Sequence, residues 1–142
     1  MIFTSYLRFA PHLGYLSPEQ PLFRESVGSL DPVDHVGFAV QQGFAGVFDP
    51  WLVGRPADEI ERLISAMRDH GLESGGIAYA PFPTMFTPLF ARQGKTAWTD
   101  IEQHFDRAFE LALKAGARTI AIVLQGTREL SWLVQQDAAA EH

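Results

Sequence analysis

Six side chains that could contact a ligand follow the predicted strands of this chain of 142 residues, near the points where the strands end. They supply an imidazole, a carboxylate, a phenol, an amide and two aromatic rings. In a parallel α/β sheet the active site lies at the edge where the strands end and the helices begin. We therefore predict that a single binding surface contains all six of them, namely His12, Asp49, Trp51, Tyr79, Phe86 and Gln125.

Each of these residues also has a purely structural interpretation. His12 could hold a substrate hydroxyl or move a proton, or it could be a loop histidine bonded to the backbone. Asp49 could orient a hydroxyl group, although for an aspartate before a proline the capping of a turn is favoured. Trp51 could stack on a ligand ring or cover the rim of the sheet. Tyr79 is more simply a buried tyrosine, whereas Gln125 is a polar end to an apolar strand, which favours a role in binding.

Phe86 belongs to a long connection between residues 81 and 98 that is rich in apolar side chains. Connections of that length are usually functional or disordered, and this one is too apolar for disorder. It could be a lid over a small polar substrate. It could equally be a surface that binds a partner, because clustered exposed aromatic residues mark interfaces. The side chains in question are Phe82, Met85, Phe86, Leu89, Phe90 and Trp98.

Three glycines mark the elements that would position these residues. Gly43, Gly71 and Gly116 each end a helix-like stretch, and a strand-like stretch follows almost at once. Glycine accepts the left-handed conformation that stops a helix. A strand directly afterwards indicates a repeated strand–helix unit. The predicted strands cover residues 3–10, 45–48, 75–80 and 120–124.

Four predicted helices alternate with these strands. Asp31 is the expected N-cap of the first, which has a proline at its first position and runs to Gln42. The second begins near Pro56, and the third begins with a capping box at residues 99–102. A fourth helix covers residues 130–142. The predicted buried stripe of the second helix consists of Ile60, Leu63, Ile64 and Met67.

The order of elements is therefore (βα)4, and two architectures fit it. One is the N-terminal half of a (βα)8 barrel, and the other is an open parallel α/β sheet. No glycine-rich phosphate-binding motif follows the first strand, which weakens the nucleotide-binding type of open sheet. The fourth strand is apolar without alternation, which predicts a parallel strand covered on both faces.

Composition excludes several classes of function. The net charge is −6 and the 11 lysines and arginines are scattered, so no basic patch for nucleic acid is predicted. The absence of cysteine excludes disulfides, thiolate metal sites and cysteine nucleophiles. No apolar run approaches the roughly 20 residues that span a membrane, and the cytoplasm is the expected location. His35, His70 and His104 lie on predicted helices, where we expect them to be solvated.

Four segments carry a family resemblance, and they occur in the same order along the chain. They are RFAPHL at residues 8–13, GFAGVFD at 43–49, AYAP at 78–81 and AGARTI at 115–120. Together they resemble the N-terminal half of the xylose isomerase-like barrels, in particular the hydroxypyruvate isomerase-like and sugar phosphate isomerase/epimerase proteins. An asparagine is common in that family where His12 stands here. The family's acid at the end of the second strand aligns with Phe48, and a shift of one residue points Asp49 to the opposite face, unless the strand has already ended there.

The resemblance implies a single (βα)4 half-barrel over residues 1–142, either truncated or completed by a partner chain. It implies an isomerase or epimerase of a small sugar-like or hydroxy-keto-acid substrate, with proton transfer through an enediol-type intermediate. In that family a carboxylate pair and a divalent metal (Mg, Mn or Zn) drive this step, and they lie mostly on strands five to eight. This chain would then supply part of the substrate-binding wall, and no cofactor is predicted from it alone.

The alternative is a non-catalytic half-barrel that binds a ligand or serves as an assembly module. A curved sheet of four parallel strands leaves its first and fourth strands unpaired, which is an aggregation hazard unless another surface covers them. Two copies could pair edge to edge around a two-fold axis. We therefore expect a homo-oligomer, with no nucleic acid and no membrane among its partners.

Overall fold

The computed structural model describes residues 8–92 and 94–141. Most of the predicted first strand, residues 3–7, lies outside this part of the chain. The α-helices are α1 (Arg24–Val27), α2 (Pro32–Gln41), α3 (Ala57–Asp69), α4 (Phe82–Met85), α5 (Lys95–Ala115) and α6 (Trp132–Glu141). The strands are β1 (Gly46–Val47), β2 (Glu73–Ser74), β3 (Ile77–Ala78) and β4 (Ile120–Ala121), and short 3-10 turns cover Leu52–Gly54 and Leu89–Ala91. None of the described helices is long and apolar enough to cross a membrane.

The strands between residues 8 and 141 pair in parallel, and each extended segment pairs with the next one along the chain. His12 bridges to Phe48 at the end of β1, β1 pairs with β2, and β3 pairs with β4. Only Gly75 and Gly76 separate β2 from β3, so these two are successive parts of one extended segment. A doubly wound sheet reverses its strand order at a switch point. No such reversal occurs among the described strands.

Two glycines allow the strands to approach closely on one face of the sheet. A Cβ on Gly46 would lie 2.3 Å from a backbone carbonyl oxygen of β2. A Cβ on Gly75 would lie 3.1 Å from the Cβ atoms of both Ala10 and Phe48. These residues therefore share one face, whereas Val47 between them is buried in the core that the strands form with the helices.

The predicted first and second helices are confirmed, and they supply six of the fourteen buried residues of that core. The Asp31 carboxylate accepts a hydrogen bond of 3.0 Å from the Val33 N–H and caps α2 as expected. The predicted stripe of α3 is buried throughout, and Leu63 at its centre is fully inaccessible to solvent. Burial of a leucine of this kind contributes about 1.5–3 kcal/mol to stability.

The expectation that His35 is solvated is wrong. This side chain of α2 is fully buried, and its Nε2 lies 2.8 Å from the carbonyl oxygen of Ser29. Its ring also lies 6.4 Å from that of Phe23, centroid to centroid. The histidine thus fastens the loop before α2 to the helix. Helical periodicity does not reveal this contact, because Ser29 and Phe23 precede the helix and are not part of its pattern.

The connection between residues 81 and 98 is more ordered than the sequence pattern predicts. It contains α4, a 3-10 turn and the first residues of α5. The helix α5 begins at Lys95 rather than at the predicted capping box. Thr99 is inside the helix and does not cap it, since its hydroxyl donates to the Lys95 carbonyl oxygen at 3.0 Å. The apolar side chains of this segment form a second core with β3 and α5, made of Ala78, Tyr79, Ala80, Met85, Leu89, Phe90 and Ile101.

The prediction of a fourth strand covered on both faces is wrong for the described residues. The strand β4 is short, and Ile122 and Leu124 beyond it are 47% and 67% exposed. An uninterrupted apolar pattern requires a protein layer on each side of the strand. The described residues supply only one of these layers.

Candidate ligand-binding site

A chain of aromatic rings lies at one edge of the sheet, beyond the segment that ends at His12 and beyond the strands β1 and β3. The centroids of His12 and Tyr15 are 4.1 Å apart, and Tyr15 lies 5.5 Å from Phe82. Phe82 in turn lies 4.9 Å from Trp51 and 5.0 Å from Phe86. The fold therefore brings three of the six predicted site residues into one aromatic cluster, although they are up to 74 positions apart in the sequence.

The indole of Trp51 is held in a fixed orientation. Its Nε1–H donates a hydrogen bond of 3.1 Å to the carbonyl oxygen of Gly14. Gly14 has a φ of 145°, and a Cβ at this position would lie 2.9 Å from the carbonyl oxygen of Gln20. Only glycine fits such a backbone without strain. A ring that is already fixed in the free protein loses little entropy when a ligand stacks on it.

His12 has a ring nitrogen that the described residues leave unsatisfied. Its Nδ1 is buried and has no hydrogen-bond partner among them. Burial lowers the pKa of the imidazole below its ordinary value of 6.5, so the ring is neutral at pH 7. A neutral imidazole offers one donor and one acceptor. A ligand hydroxyl can reach the buried Nδ1 only if the ring moves, so this nitrogen is not an open binding group in the structure.

The carboxylate of Asp49 is buried and fully engaged. It accepts two hydrogen bonds from Arg55, of 2.5 Å from Nε and 3.4 Å from Nη2. It also accepts one of 3.2 Å from the backbone N–H of Trp51. Arg55 also donates from Nη1 to Glu59 at 3.1 Å. Burial alone would lower the pKa of Arg55, but the hydrogen bonds and charges of Asp49 and Glu59 outweigh this effect and raise it. Asp49 therefore caps its turn and holds Arg55, and its oxygens are not free to act as a base.

The structure places Phe48 and Asp49 in different surroundings. The Cβ of Phe48 lies on the face that it shares with Ala10, whereas Asp49 lies beyond the end of β1 and pairs with Arg55, just before α3. The turn after the strand, rather than the side-chain alternation of a strand, therefore sets the direction of Asp49.

A cleft of about 740 Å³ lies beside the aromatic cluster, between the N-terminal ends of α2 and α3 and the segment 81–83. Trp51 and Phe82 form part of its wall, so the cluster and the cleft share two rings. The charged residues of its lining are Glu19, Asp31, Arg55, Glu59 and Arg62. Pockets that bind small molecules have this size and this combination of aromatic surface with a few polar groups.

Of the six predicted site residues, Trp51 alone is part of the lining of this cleft, and Tyr79 and Gln125 lie away from both the cleft and the aromatic cluster. Tyr79 is completely buried, with its ring 5.4 Å from Phe90 and 5.7 Å from Phe105, and burial raises the pKa of its phenol. Its hydroxyl has no partner among the described residues. Gln125 is exposed and lines a separate cavity of about 500 Å³, together with Trp132. The structure therefore does not bring all six residues into one surface.

The described residues do not form a site for the divalent metal that the resemblance implies for a complete barrel. They contain no group of three histidine, cysteine or acidic side chains close enough to share an ion. The buried carboxylate at the strand ends, that of Asp49, is already occupied by a guanidinium group. We therefore assign no metal ligand to these residues.

Sequence reasoning missed Arg55 and Tyr15. The one available signal for Arg55 was its spacing of four residues from Glu59, which is typical of a helical ion pair. Its partnership with Asp49 depends on a turn that no periodicity predicts. Tyr15 lies in an irregular loop, where a lone aromatic residue carries no pattern.

No protein-family model matches the chain, and no curated protein matches its sequence. Among solved structures, the chain is similar to an AP endonuclease of family 2 from Brucella melitensis, with a TM-score of 0.61 at 20% sequence identity. The match covers 94% of this chain and 47% of the other, so the chain spans about half the length of that structure. At this identity the likeness shows the fold alone. The chain thus has a mixed α/β fold with short parallel strands, similar to about half of that structure.

Proposed function

We propose that this chain is the substrate-binding half of an isomerase or epimerase that acts on a small sugar-like or hydroxy-keto-acid substrate. The observation that carries the proposal is the junction of the cleft and the aromatic cluster at the C-terminal ends of the strands. Ligands of parallel α/β folds bind at this edge. Trp51 and Phe82 supply stacking surface, and His12 supplies a neutral imidazole ring to the same aromatic cluster.

The chain contributes binding and orientation rather than the catalytic base. The complete barrel would use a carboxylate pair and a divalent metal, such as Mg, Mn or Zn, to move a proton between adjacent carbons. Asp49 is ion-paired and cannot serve as that base. In this proposal the half-barrel of residues 1–142 is completed by further barrel strands, and these carry the proton transfer.

Nucleic acid is not a proposed partner, although the similar structure is an endonuclease. The chain carries a net charge of −6, and three carboxylates line the cleft. Binding of a polyanion relies on neutralising phosphates with lysine and arginine. We expect no binding of a short duplex oligonucleotide at 50 mM salt by fluorescence anisotropy, and saturable binding there would contradict this part of the proposal.

The test of the proposed function is sugar binding by the whole chain. The panel consists of neutral aldoses and ketoses of four to six carbons and of hydroxy-keto acids. Saturation-transfer NMR with this panel should detect binding that is lost in Trp51→Ala. The exposed Phe86→Ala variant, whose ring is 53% exposed, gives a second probe that does not threaten folding. Trp132→Ala on α6 is the matched control, because it removes an indole outside the cleft. Absence of binding to every sugar and to every hydroxy-keto acid of the panel would end the proposal.

A second candidate function, an assembly module, is favoured by the exposed apolar surface around β4 and α6. Its exposed members are Ile122, Leu124, Leu130, Trp132, Leu133 and Val134. Contiguous exposed apolar surface marks interaction sites. In this candidate a second copy covers the outer side of β4, and the protein is a homo-oligomer in solution.

The oligomeric state separates the two candidates. Multi-angle light scattering at several protein concentrations should give a dimer whose dissociation constant rises when Leu124 and Leu133 are replaced by aspartate. The exposed pair Phe109→Asp and Leu113→Asp on α5 is the matched control for added charge. A well-folded monomer at all concentrations would exclude the assembly module while leaving the substrate-binding proposal intact.

A further inference from the structure

We infer that the cleft selects a ligand without an anionic group, and thus an unphosphorylated sugar rather than a sugar phosphate or a hydroxy-keto acid. The inference rests on the proposed function, which leaves these substrate classes open. It follows from the way in which the two arginines of the cleft are already used.

The guanidinium group of Arg55 is already neutralised by two carboxylates. Phosphates and carboxylates bind arginine best through two parallel N–H groups. Asp49 occupies the side-on fork of Arg55, with 2.5 Å to Nε and 3.4 Å to Nη2, and Glu59 takes one N–H of Nη1 at 3.1 Å. An incoming anion could use the side-on fork only by displacing Asp49. This displacement would leave a buried carboxylate unpaired, which is strongly unfavourable.

The charge of the second arginine is matched by one carboxylate. Arg62 donates through Nη2 to Asp31, and its side chain is 53% exposed, so that solvent screens its charge. Asp31 also caps α2 by accepting from the Val33 N–H, so its acidic group neutralises the positive end of the helix dipole. At the start of α3, Asp58 and Glu59 in the first turn do the same. Neither helix end therefore remains as an attraction for an anion.

The remaining charge of the cleft disfavours an anion directly. Its lining contains two guanidinium groups and three carboxylates, and the third of these is Glu19. The carboxylate of Asp49 lies behind Arg55. A second anion would thus enter a region whose charges are balanced or negative, and juxtaposed like charges cost several kcal/mol.

The same groups are well suited to an uncharged polyol. Glu59 bonds Arg55 through Oε2, which leaves Oε1 to accept from a hydroxyl. The two rings that line the cleft, 4.9 Å apart, offer apolar faces to the C–H side of a sugar ring. Paired arginines and carboxylates bind hydroxyl groups from fixed positions, because each partner holds the other in place.

The test compares matched ligands on the intact chain. Binding of neutral four- to six-carbon sugars, their terminal phosphate esters and hydroxypyruvate is measured by saturation-transfer NMR and calorimetry. We expect the neutral sugar to bind at least about tenfold more tightly than its phosphate ester or the keto acid. Equal or tighter binding of the phosphate ester or keto acid would overturn the inference and leave the proposed function standing. Absence of binding by all three ligand classes would instead end the proposed function, and the inference with it.

A charge variant gives an independent check. Glu59→Gln removes one carboxylate and releases Nη1 of Arg55, so the preference for the neutral sugar should fall several-fold, about threefold or more. Glu110→Gln is the matched control, because Glu110 forms an exposed pair with Arg107 on α5, outside the cleft lining. An unchanged preference in Glu59→Gln, with circular dichroism that confirms folding, would overturn the proposed role of the ion pairs.

Discussion

The cleft and the β4–α6 end of the molecule differ in whether their side chains have partners within the described residues. In the cleft the rings pack against each other, and both arginines are paired with carboxylates. At the β4–α6 end, large apolar side chains face solvent, and Trp132 and Leu133 are each 70% exposed. The first surface pairs its own charges among the described residues and has the size for a small ligand. The second has apolar area that only another protein surface would cover.

The largest expected effect tests the buried ion pair between Asp49 and Arg55 beside the cleft. Asp49→Ala should lower the free energy of unfolding by about 3–5 kcal/mol, because it leaves the Arg55 charge buried without its main partner. Urea denaturation followed by circular dichroism measures it. Glu73→Ala is the matched control, because it breaks an exposed pair with Arg8 and should cost about 1 kcal/mol or less. Equal costs for the two variants would show that the buried pair does not hold the cleft together.

A pair of leucine variants sharpens the contrast between the two regions. Leu63→Ala in the buried stripe of α3 should cost about 2–5 kcal/mol. Leu133→Ala on the exposed face of α6 should change stability by no more than about 0.5 kcal/mol in the monomer. Denaturation at two protein concentrations checks this prediction. A large cost for Leu133→Ala that grows with protein concentration would show that a second copy covers α6.

A smaller effect is expected at the outer ion pair of the cleft. Asp31→Ala should cost about 1 kcal/mol through the loss of the α2 cap. Burial opposes the charged form of Asp31, but Arg62 and the Val33 N–H outweigh it and lower its pKa. Its contribution is therefore present above the pKa of the unfolded chain and is lost as the pH falls through the lower, folded-state pKa. Asp34→Ala, exposed in the first turn of α2, should show a weaker cost, and equal costs would rule out a special role for the cap.

The smallest effect is the pH dependence that His12 imposes. Burial lowers its pKa in the folded protein below 6.5, so the unfolded chain takes up the proton first as the pH falls. Stability should therefore decline below pH 6.5 until the folded-state pKa is passed, with a slope of at most about 1.4 kcal/mol per pH unit. His12→Phe should remove this part of the slope, whereas His70→Gln at an exposed helix end should not. Denaturation between pH 5 and 7.5 measures both, and an unchanged slope in His12→Phe would contradict the buried neutral imidazole.

Local sequence signals predicted the α/β order and most of the helices. The N-cap at Asp31 and the spaced stripe around Leu63 depend only on neighbouring residues, so they could be read without the fold. The start of α5 was predicted four residues late, at Thr99, because a capping box and an internal threonine bond look alike in sequence.

The tertiary structure alone decided which candidate residues meet. His12, Trp51 and Phe86 come together because three parallel strands end at one edge, and Tyr79 is buried beneath α5 because its strand turns it toward the helix. The pairing of Asp49 with Arg55 depends on a turn and on burial, neither of which has a period in the sequence. Sequence thus determined the elements and the types of chemistry, since these are local properties. The charge balance of the cleft and the exposure of β4 arise from contacts between distant residues, and only the fold sets those.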